Sequence, residues 1–274
     1  MEKLDWRHRI LRTLEHIHTN LSGELDGPSL AAVAGFSPHH FHRVFRGIVG
    51  ESVMEYTRRL RLEQAAMRLK YGQEGVLDVA LGAGYQSHEG FTRAFTAHFR
   101  VAPTEFRRRE QTVAPGRECW IRAHPPMRCL AVSHVGPYSE CGTAWGRLYA
   151  WAGRQRVALR REQPPIGLCY DDPEITDPAR CRYEACVALA TEGEPGPLPE
   201  GFRVREIPGG AYAETIHTGT YEGIGDTYAA LLGQWLSRRS VTLPDEPTVE
   251  VYLNSPLDTP ADKLRTEIRI RVEE

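Results

Sequence analysis

Two sets of side chains in this 274-residue chain have types and spacings suited to chemistry. The first begins with His39, His42, Arg43 and Arg46, which recur at three- and four-residue intervals opposite Phe41, Val44, Phe45 and Ile48. A helix over this stretch presents one polar stripe and buries the other. Fifty positions later Glu89, Thr92, Arg93 and Thr96 stand opposite Phe91, Ala94, Phe95 and Phe99, with Gln86 or Ser87 beginning the helix. Arginine bonds guanine bidentately, while histidine, threonine and glutamate offer donors or acceptors to base edges and phosphates. These are side chains that read DNA, although a solvated helix face has a similar composition. The second set centres on Glu250. Strand alternation along residues 248–253 puts Val249, Val251 and Leu253 on one face and Glu250 with Tyr252 on the other. Tyr138, Trp145, Tyr149, Tyr170, Tyr221 and Tyr228 supply aromatic faces. A carboxylate among aromatics suits a lipophilic cation, each ring adding roughly 0.5–2 kcal/mol of cation–π attraction. The alternative is a solvent-facing Glu250 beside core aromatics.

The elements that must position the first set are two helix-turn-helix units. Residues 35–45 return as residues 84–95 with a turn one residue longer, so that Phe41 matches Phe91, Arg43 matches Arg93 and Phe45 matches Phe95. Ser37 is a natural N-cap, Pro38 suits the first turn, and Gly35 supplies the turn that follows residues 30–34. Between the units, Ser52 to about Tyr71 reads as one long helix, with Val53, Tyr56, Leu60 and Met67 inward and Arg58, Arg59, Arg61 and Arg68 exposed. Such a spacer would hold both recognition helices about 34 Å apart, facing successive major grooves.

Helical periodicity stops at residues 112–117, where Pro and Gly appear. The expected organisation is a helical domain over 1–110, a linker at 111–117 and a second domain over 118–274. This second domain carries its own duplication. A shift of 83 places aligns, among others, His134 with His217, Gly136 with Gly219, Tyr138 with Tyr221, Leu148 with Leu231, Arg182 with Arg265 and Glu184 with Glu267, without a gap. Each half reads as strand, strand, helix, strand, strand, which predicts an α+β domain of two pseudo-symmetric halves, antiparallel strands with helices on one face. The halves are expected to form a sandwich with a groove along the pseudo-twofold axis, a favoured place for a small ligand. The partner of Glu250 under the shift is Gly167, which is expected to leave room beside the acid.

Composition agrees. The net charge of −2 divides unevenly: residues 1–110 hold 16 Lys and Arg against 13 Asp and Glu, and residues 111–274 hold 18 against 23. A mildly basic first domain implies DNA affinity from well-placed contacts more than from bulk charge. The start of the chain is charged and amphipathic, and no apolar run is long enough to cross a bilayer, which predicts a cytoplasmic protein with no membrane partner. The six cysteines all lie in the second half without C-x-x-C pairs and are read as small core residues. Neither a metal nor another cofactor is expected.

Residues from about Arg7 to Arg109 resemble the DNA-binding domain of the AraC/XylS family, through Gly35-Phe36-Ser37 to Phe45, Arg59-Leu60-Arg61-Leu62-Glu63-Gln64-Ala65 and Val101-Ala102-Pro103-Thr104-Glu105-Phe106. The resemblance implies an all-α domain in which His39, His42 and Arg43, then Glu89, Gly90 and Arg93, approach double-stranded DNA. Glu89 and Gly90 are weaker donors than the pair often found there, so the second half-site is expected to be read less stringently. Residues from about Glu118 to Val272 resemble the GyrI-like effector-binding module, through Val135-Gly136-Pro137-Tyr138, Tyr170-Asp171-Asp172-Pro173, Ile207-Pro208-Gly209-Gly210 and Glu250-Val251-Tyr252-Leu253. That resemblance implies a buried glutamate binding hydrophobic, often cationic, compounds, with Glu250 at the matching position. Together they imply a transcription regulator acting on a promoter and RNA polymerase under a small effector, with no catalytic residues. Two alternatives remain open at this point: a hydrolase of small electrophiles using Glu250 as general base, and a module that sequesters another protein.

Overall fold

The computed structural model describes residues 6–110, 117–193, 195–244 and 246–273; the expected linker, apart from Arg117, lies outside the described residues. The chain divides into two compact units, Met1–Gln111 and Thr112–Glu274.

The first unit is helical: α1 (Trp6–Thr19), α2 (Gly27–Ala34), α3 (Pro38–Val49), α4 (Val53–Tyr71), α5 (Val76–Gly82), α6 (His88–Phe99) and α7 (Pro103–Glu110). Gly35 turns α2 into α3 at φ +65°, a left-handed conformation that glycine adopts without steric cost. Phe41 and Phe45 of α3 are buried with Ile10, Ile17, Leu30 and Leu60. Phe91 and Phe95 of α6 continue into a ring stack with Phe99 and Phe106, centroids 4.5–5.5 Å apart. The expected stripe fails at its end, since Ile48 is 42% exposed and its neighbour Val49 packs against the core instead.

Helix α4 serves both cores. A capping box starts it: Ser52 N–H donates to Glu55 Oε2 at 2.9 Å, and Ser52 Oγ accepts from Glu55 N–H at 3.3 Å. Its 19 residues span about 28 Å. Three of its four arginines expected to be exposed are instead tied down. Arg59 pairs with Glu51 at 2.8 Å and Glu63 at 3.2 Å. Arg61 donates to the carbonyls of Leu21 and Gly23, and Arg68 forms a fork with Glu74. Glu63 is the i+4 neighbour on α4 itself, whereas Glu51, Glu74 and the carbonyls of Leu21 and Gly23 lie off the helix, where its 3.6-residue periodicity could not reveal them.

The second unit places all eight strands of the described residues in one antiparallel sheet: β1 (Cys119–His124), β2 (Met127–Val135), β3 (Ile166–Cys169), β4 (Arg182–Ala188), β5 (Phe202–Ile207), β6 (Gly210–Thr218), β7 (Thr248–Tyr252) and β8 (Arg265–Arg271), in the order β1-β6-β8-β7-β3-β4-β2-β5. The expected sandwich is therefore a single sheet. The halves meet edge to edge through the β3–β7 ladder, which satisfies the backbone of both inner strands. The first strand of each half joins the other half, since β1 pairs with β6 and β5 pairs with β2.

Helix α8 (Gly142–Gln155) covers one face, burying Ala144, Leu148 and Trp151 against Leu130, Val132, Ala185 and Val187. Its counterpart α9 (Ile224–Tyr228) lasts five residues and then runs through π-helical turns over Ala229–Trp235. Such wide turns are uncommon and gather at functional sites. The other face has a buried centre of Cys129, Ala131, Ile166, Leu168, Cys186, Val249 and Val251. All six cysteines are free thiols; Cys129, Cys169, Cys181 and Cys186 are buried, as expected of core residues.

Candidate functional site

In the helical unit the polar stripes face solvent. His39, His42, Arg43 and Arg46 on α3 are exposed, as are Gln86 and Ser87 ahead of α6 and Glu89, Arg93 and Thr96 on it. Gly90 and Thr92 are half-buried. Ser87 also caps its helix, its hydroxyl accepting from the Gly90 N–H at 3.1 Å, whereas Ser37 makes no such bond. His42 stands beside the start of α2: a Cβ on Gly27 would lie 3.2 Å from its Nε2. Thr92, Arg93 and Thr96 line a shallow cleft of about 510 Å³ together with Ala97 and Arg100. Arg100 was not among the residues expected to contact DNA.

In the sheet unit, β7 carries Glu250 directly opposite Gly167 of β3. Glu250 is 8% exposed and is held from two sides: Tyr228 donates to Oε1 at 2.8 Å and Tyr252 donates to Oε2 at 3.0 Å. Tyr183 lies 3.0 Å from the Tyr252 hydroxyl and accepts the Trp145 indole N–H at 3.0 Å, so a hydrogen-bonded chain runs from α8 to the carboxyl. Burial raises the pKa of Glu250 above the ordinary carboxylate value, and the two tyrosine hydroxyls oppose that shift by stabilising the anion. The hydroxyls of Tyr183, Tyr228 and Tyr252 are pushed well above the usual phenol range, chiefly by burial, and remain donors.

Aromatic rings rise from this floor. Trp145 stacks with Tyr149 at 6.0 Å and meets Tyr252 edge-on at 5.9 Å; Tyr221 meets Tyr252 edge-on at 5.9 Å. Tyr149 and Tyr221 are 48% and 38% exposed and carry this aromatic set to the surface. Tyr138 stands behind, its ring 6.0 Å from Tyr183 and its hydroxyl 2.7 Å from the Asp171 carbonyl. The arrangement combines one buried carboxyl with several aromatic faces.

Two expectations about this groove are corrected. Tyr170 is not part of it: alternation from Cys169 turns Tyr170 to the opposite face, where it packs with the buried centre and the Arg182 guanidinium lies 5.4 Å from its ring. The space granted by Gly167 is filled by protein, since a Cβ there would stand 2.5 Å from the Tyr252 hydroxyl and 2.7 Å from Tyr183. Glycine here admits the tyrosines that hold the acid. Tyr183 itself was missed, because its place beside Tyr252 follows from the β4–β3–β7 register and not from any local pattern. His217 was also missed. It contributes favourably to the Glu250 anion while bonding Thr227 Oγ1 at 2.8 Å.

Residues 118–273 match the GyrI-like small molecule binding domain family, and residues 30–109 match a helix-turn-helix domain family. The chain belongs to the GyrI-like family, with a helix-turn-helix domain of the AraC type preceding that module. It is 37% identical over 112 residues to the right origin-binding protein of Escherichia coli K12, covering 39% of this chain and 37% of that protein. It is 34% identical over 113 residues to the "Probable transcription factor PqrA" of Proteus vulgaris, covering 41% of this chain and 89% of that one. The chain thus spans little more than a third of the length of some curated relatives, the E. coli protein among them. Among solved structures, the EcmrR C-terminal domain is 18% identical with a TM-score of 0.47, covering 58% of this chain and 98% of that one. No helix among the described residues is long and apolar enough to cross a membrane.

Proposed function

We propose that this protein is a cytoplasmic, DNA-binding transcription regulator whose GyrI-like domain binds a lipophilic cation at Glu250, and that ligand binding alters how the two helix-turn-helix units engage a promoter and RNA polymerase. The observation that carries the reading is the buried Glu250 carboxyl, held by two tyrosine hydroxyls among the rings of Trp145, Tyr149, Tyr221 and Tyr252. A buried carboxylate is costly without a partner, and a cation entering the groove offsets that cost while the rings contribute cation–π attraction. DNA contact is assigned to the exposed stripes of α3 and α6, with Arg43 and Arg93 reading base edges. Residues 1–110 and 118–274 act as separate domains. The relatives named as a transcription factor and an origin-binding protein support the DNA-binding half of the reading.

The test is a thermal-shift and fluorescence titration with cationic dyes and with neutral analogues of equal size. The expected result is selective stabilisation by cations, lost in Glu250→Gln; equal response to both ligand classes overturns the cation assignment. Alanine at Arg43 or Arg93 is expected to weaken specific DNA binding by about 1–3 kcal/mol, each with lost discrimination at one base pair. Unchanged affinity in both variants removes the recognition-helix assignment. A second reading rests on the raised pKa of Glu250, which suits a general base acting on an electrophile. Consumption of such a compound by the wild type, abolished in Glu250→Gln with binding intact, would favour that hydrolase reading.

A further inference from the structure

The two recognition helices end differently. After α3 the chain leaves through Gly50 at φ +88°, the left-handed conformation in which glycine is at ease. The equivalent position after α6 is Arg100, held at φ +60°. A side chain in that region strains the backbone, and such strain gathers where a side chain is needed for function. Arg100 has a second distinction. Its partner one turn earlier is Thr96 where α3 has Arg46, so the second unit carries its extra guanidinium a turn further from the base-reading end.

The surroundings of Arg100 are those of a contact to DNA. It is exposed and shares one cleft with Thr92, Arg93, Thr96 and Ala97, continuous with the stripe assigned to α6. Arg59, Arg61, Arg68 and Arg107 of this domain are bonded to carboxylates or carbonyls, whereas Arg100, like Arg43 and Arg93, is exposed and makes no such bond among the described residues. We propose that Arg100 grips a DNA phosphate, with Thr96 beside it, and anchors the second unit without reading sequence. The N-terminal residues of a recognition helix reach base edges, so a guanidinium beyond its C-terminus is placed for the backbone, where it bonds phosphate oxygens bidentately. The second unit thereby gains grip where Glu89 and Gly90 give it little to read with. This inference rests on the DNA-binding reading proposed above.

The experiment uses the full chain, a duplex enriched by it from a random-sequence pool, and an unrelated duplex of equal length, titrated between 50 and 200 mM salt. Arg100→Ala and Arg100→Gly are expected to weaken both duplexes by the same factor. The slope of log affinity against log salt should fall by about one, so the gap to wild type narrows roughly threefold across that range. Arg100→Lys should restore most of the loss, because a phosphate accepts a point charge. Arg100→Gly should melt no lower than wild type, since glycine relieves the backbone, which separates lost contact from lost fold. A loss confined to the enriched duplex would make Arg100 a base reader and overturn the phosphate assignment. An unchanged Arg100→Ala beside an impaired Arg93→Ala overturns this inference and leaves the DNA-binding reading standing; silence at Arg43, Arg93 and Arg100 together overturns both.

Discussion

Glu250 and Gly167 occupy equivalent places in the two halves of the sheet and face each other across the ladder that joins them, yet one carries the acid and the other carries no side chain. The helical unit treats its duplication in the opposite way: Phe41 and Phe91, Phe45 and Phe95, Arg43 and Arg93 keep core and polar stripe alike in both copies. The difference follows from what each repeat must meet. Successive turns of a DNA duplex present similar surfaces, so two similar units can serve. On the proposed reading a small molecule lies on the pseudo-twofold axis and meets both halves at once, and a carboxylate from each would place two like charges side by side. One half therefore supplies charge, and the other supplies the space that its tyrosine donors need. Tyr138 and Tyr221 divide in the same manner, the first bonded to the Asp171 backbone and the second exposed at the surface.

The sharpest way to break this asymmetry is Gly167→Ala. The added Cβ meets Tyr252 and Tyr183, and the overpacked site should lose about 3 kcal/mol of stability, read as a lower denaturation midpoint, together with ligand binding. Alanine tolerated at wild-type stability would show that the tyrosines do not need this space. Glu250→Gln keeps the shape and removes the charge. Cationic ligands should weaken by about 2 kcal/mol, roughly thirtyfold in Kd, while neutral ligands change little.

The same substitution probes pH. The folded-state pKa of Glu250 is raised, so below the ordinary carboxylate range both folded and unfolded chains hold the proton. As pH rises from there through the raised value, the unfolded chain releases it first and stability falls across that window, levelling above it. Glu250→Gln should flatten this part of the melting-temperature profile, and a difference profile without slope would contradict a buried titrating acid. The smallest effect separates the helical copies. Ser87→Ala removes a cap bond and should cost about 1 kcal/mol, whereas Ser37→Ala should cost close to nothing, both measured by chemical denaturation.

Both duplications were legible because each leaves a regular imprint: helical stripes repeat at 3.6 residues, and the sheet repeat runs without a gap. Glu250 and Tyr252 were legible as neighbours on one strand face. Alternation across residues 169–170 already excluded Tyr170, and proximity within the repeat was the wrong guide. Tyr183 and the role of Gly167 depend on strand register, and register is set by pairing between residues distant in sequence. The exchange of β1 and β5 was hidden for a related reason. Equivalence under an 83-residue shift says which strands correspond, and both the exchanged and unexchanged pairings obey it. Arg61 looked solvated on a helical wheel and is instead bonded to the Leu21 and Gly23 carbonyls, which a wheel omits; of the two partners of Arg59, Glu51 lies off the helix and Glu63, at i+4, was legible.

The exchanged edge strand also orders events during synthesis. The helical unit is complete once residue 110 has left the ribosome, and its contacts join residues near in sequence. Strand β1 follows at once but has no partner until β6 emerges, since Cys119 pairs with Thr215 and His124 with Gly210. Loop closure over roughly a hundred residues makes this pairing slow. A nascent chain thus holds folded recognition helices well before the two halves of the sheet can join, because β1 waits for β6 and the central β3–β7 ladder waits longer still, until residue 252 has emerged.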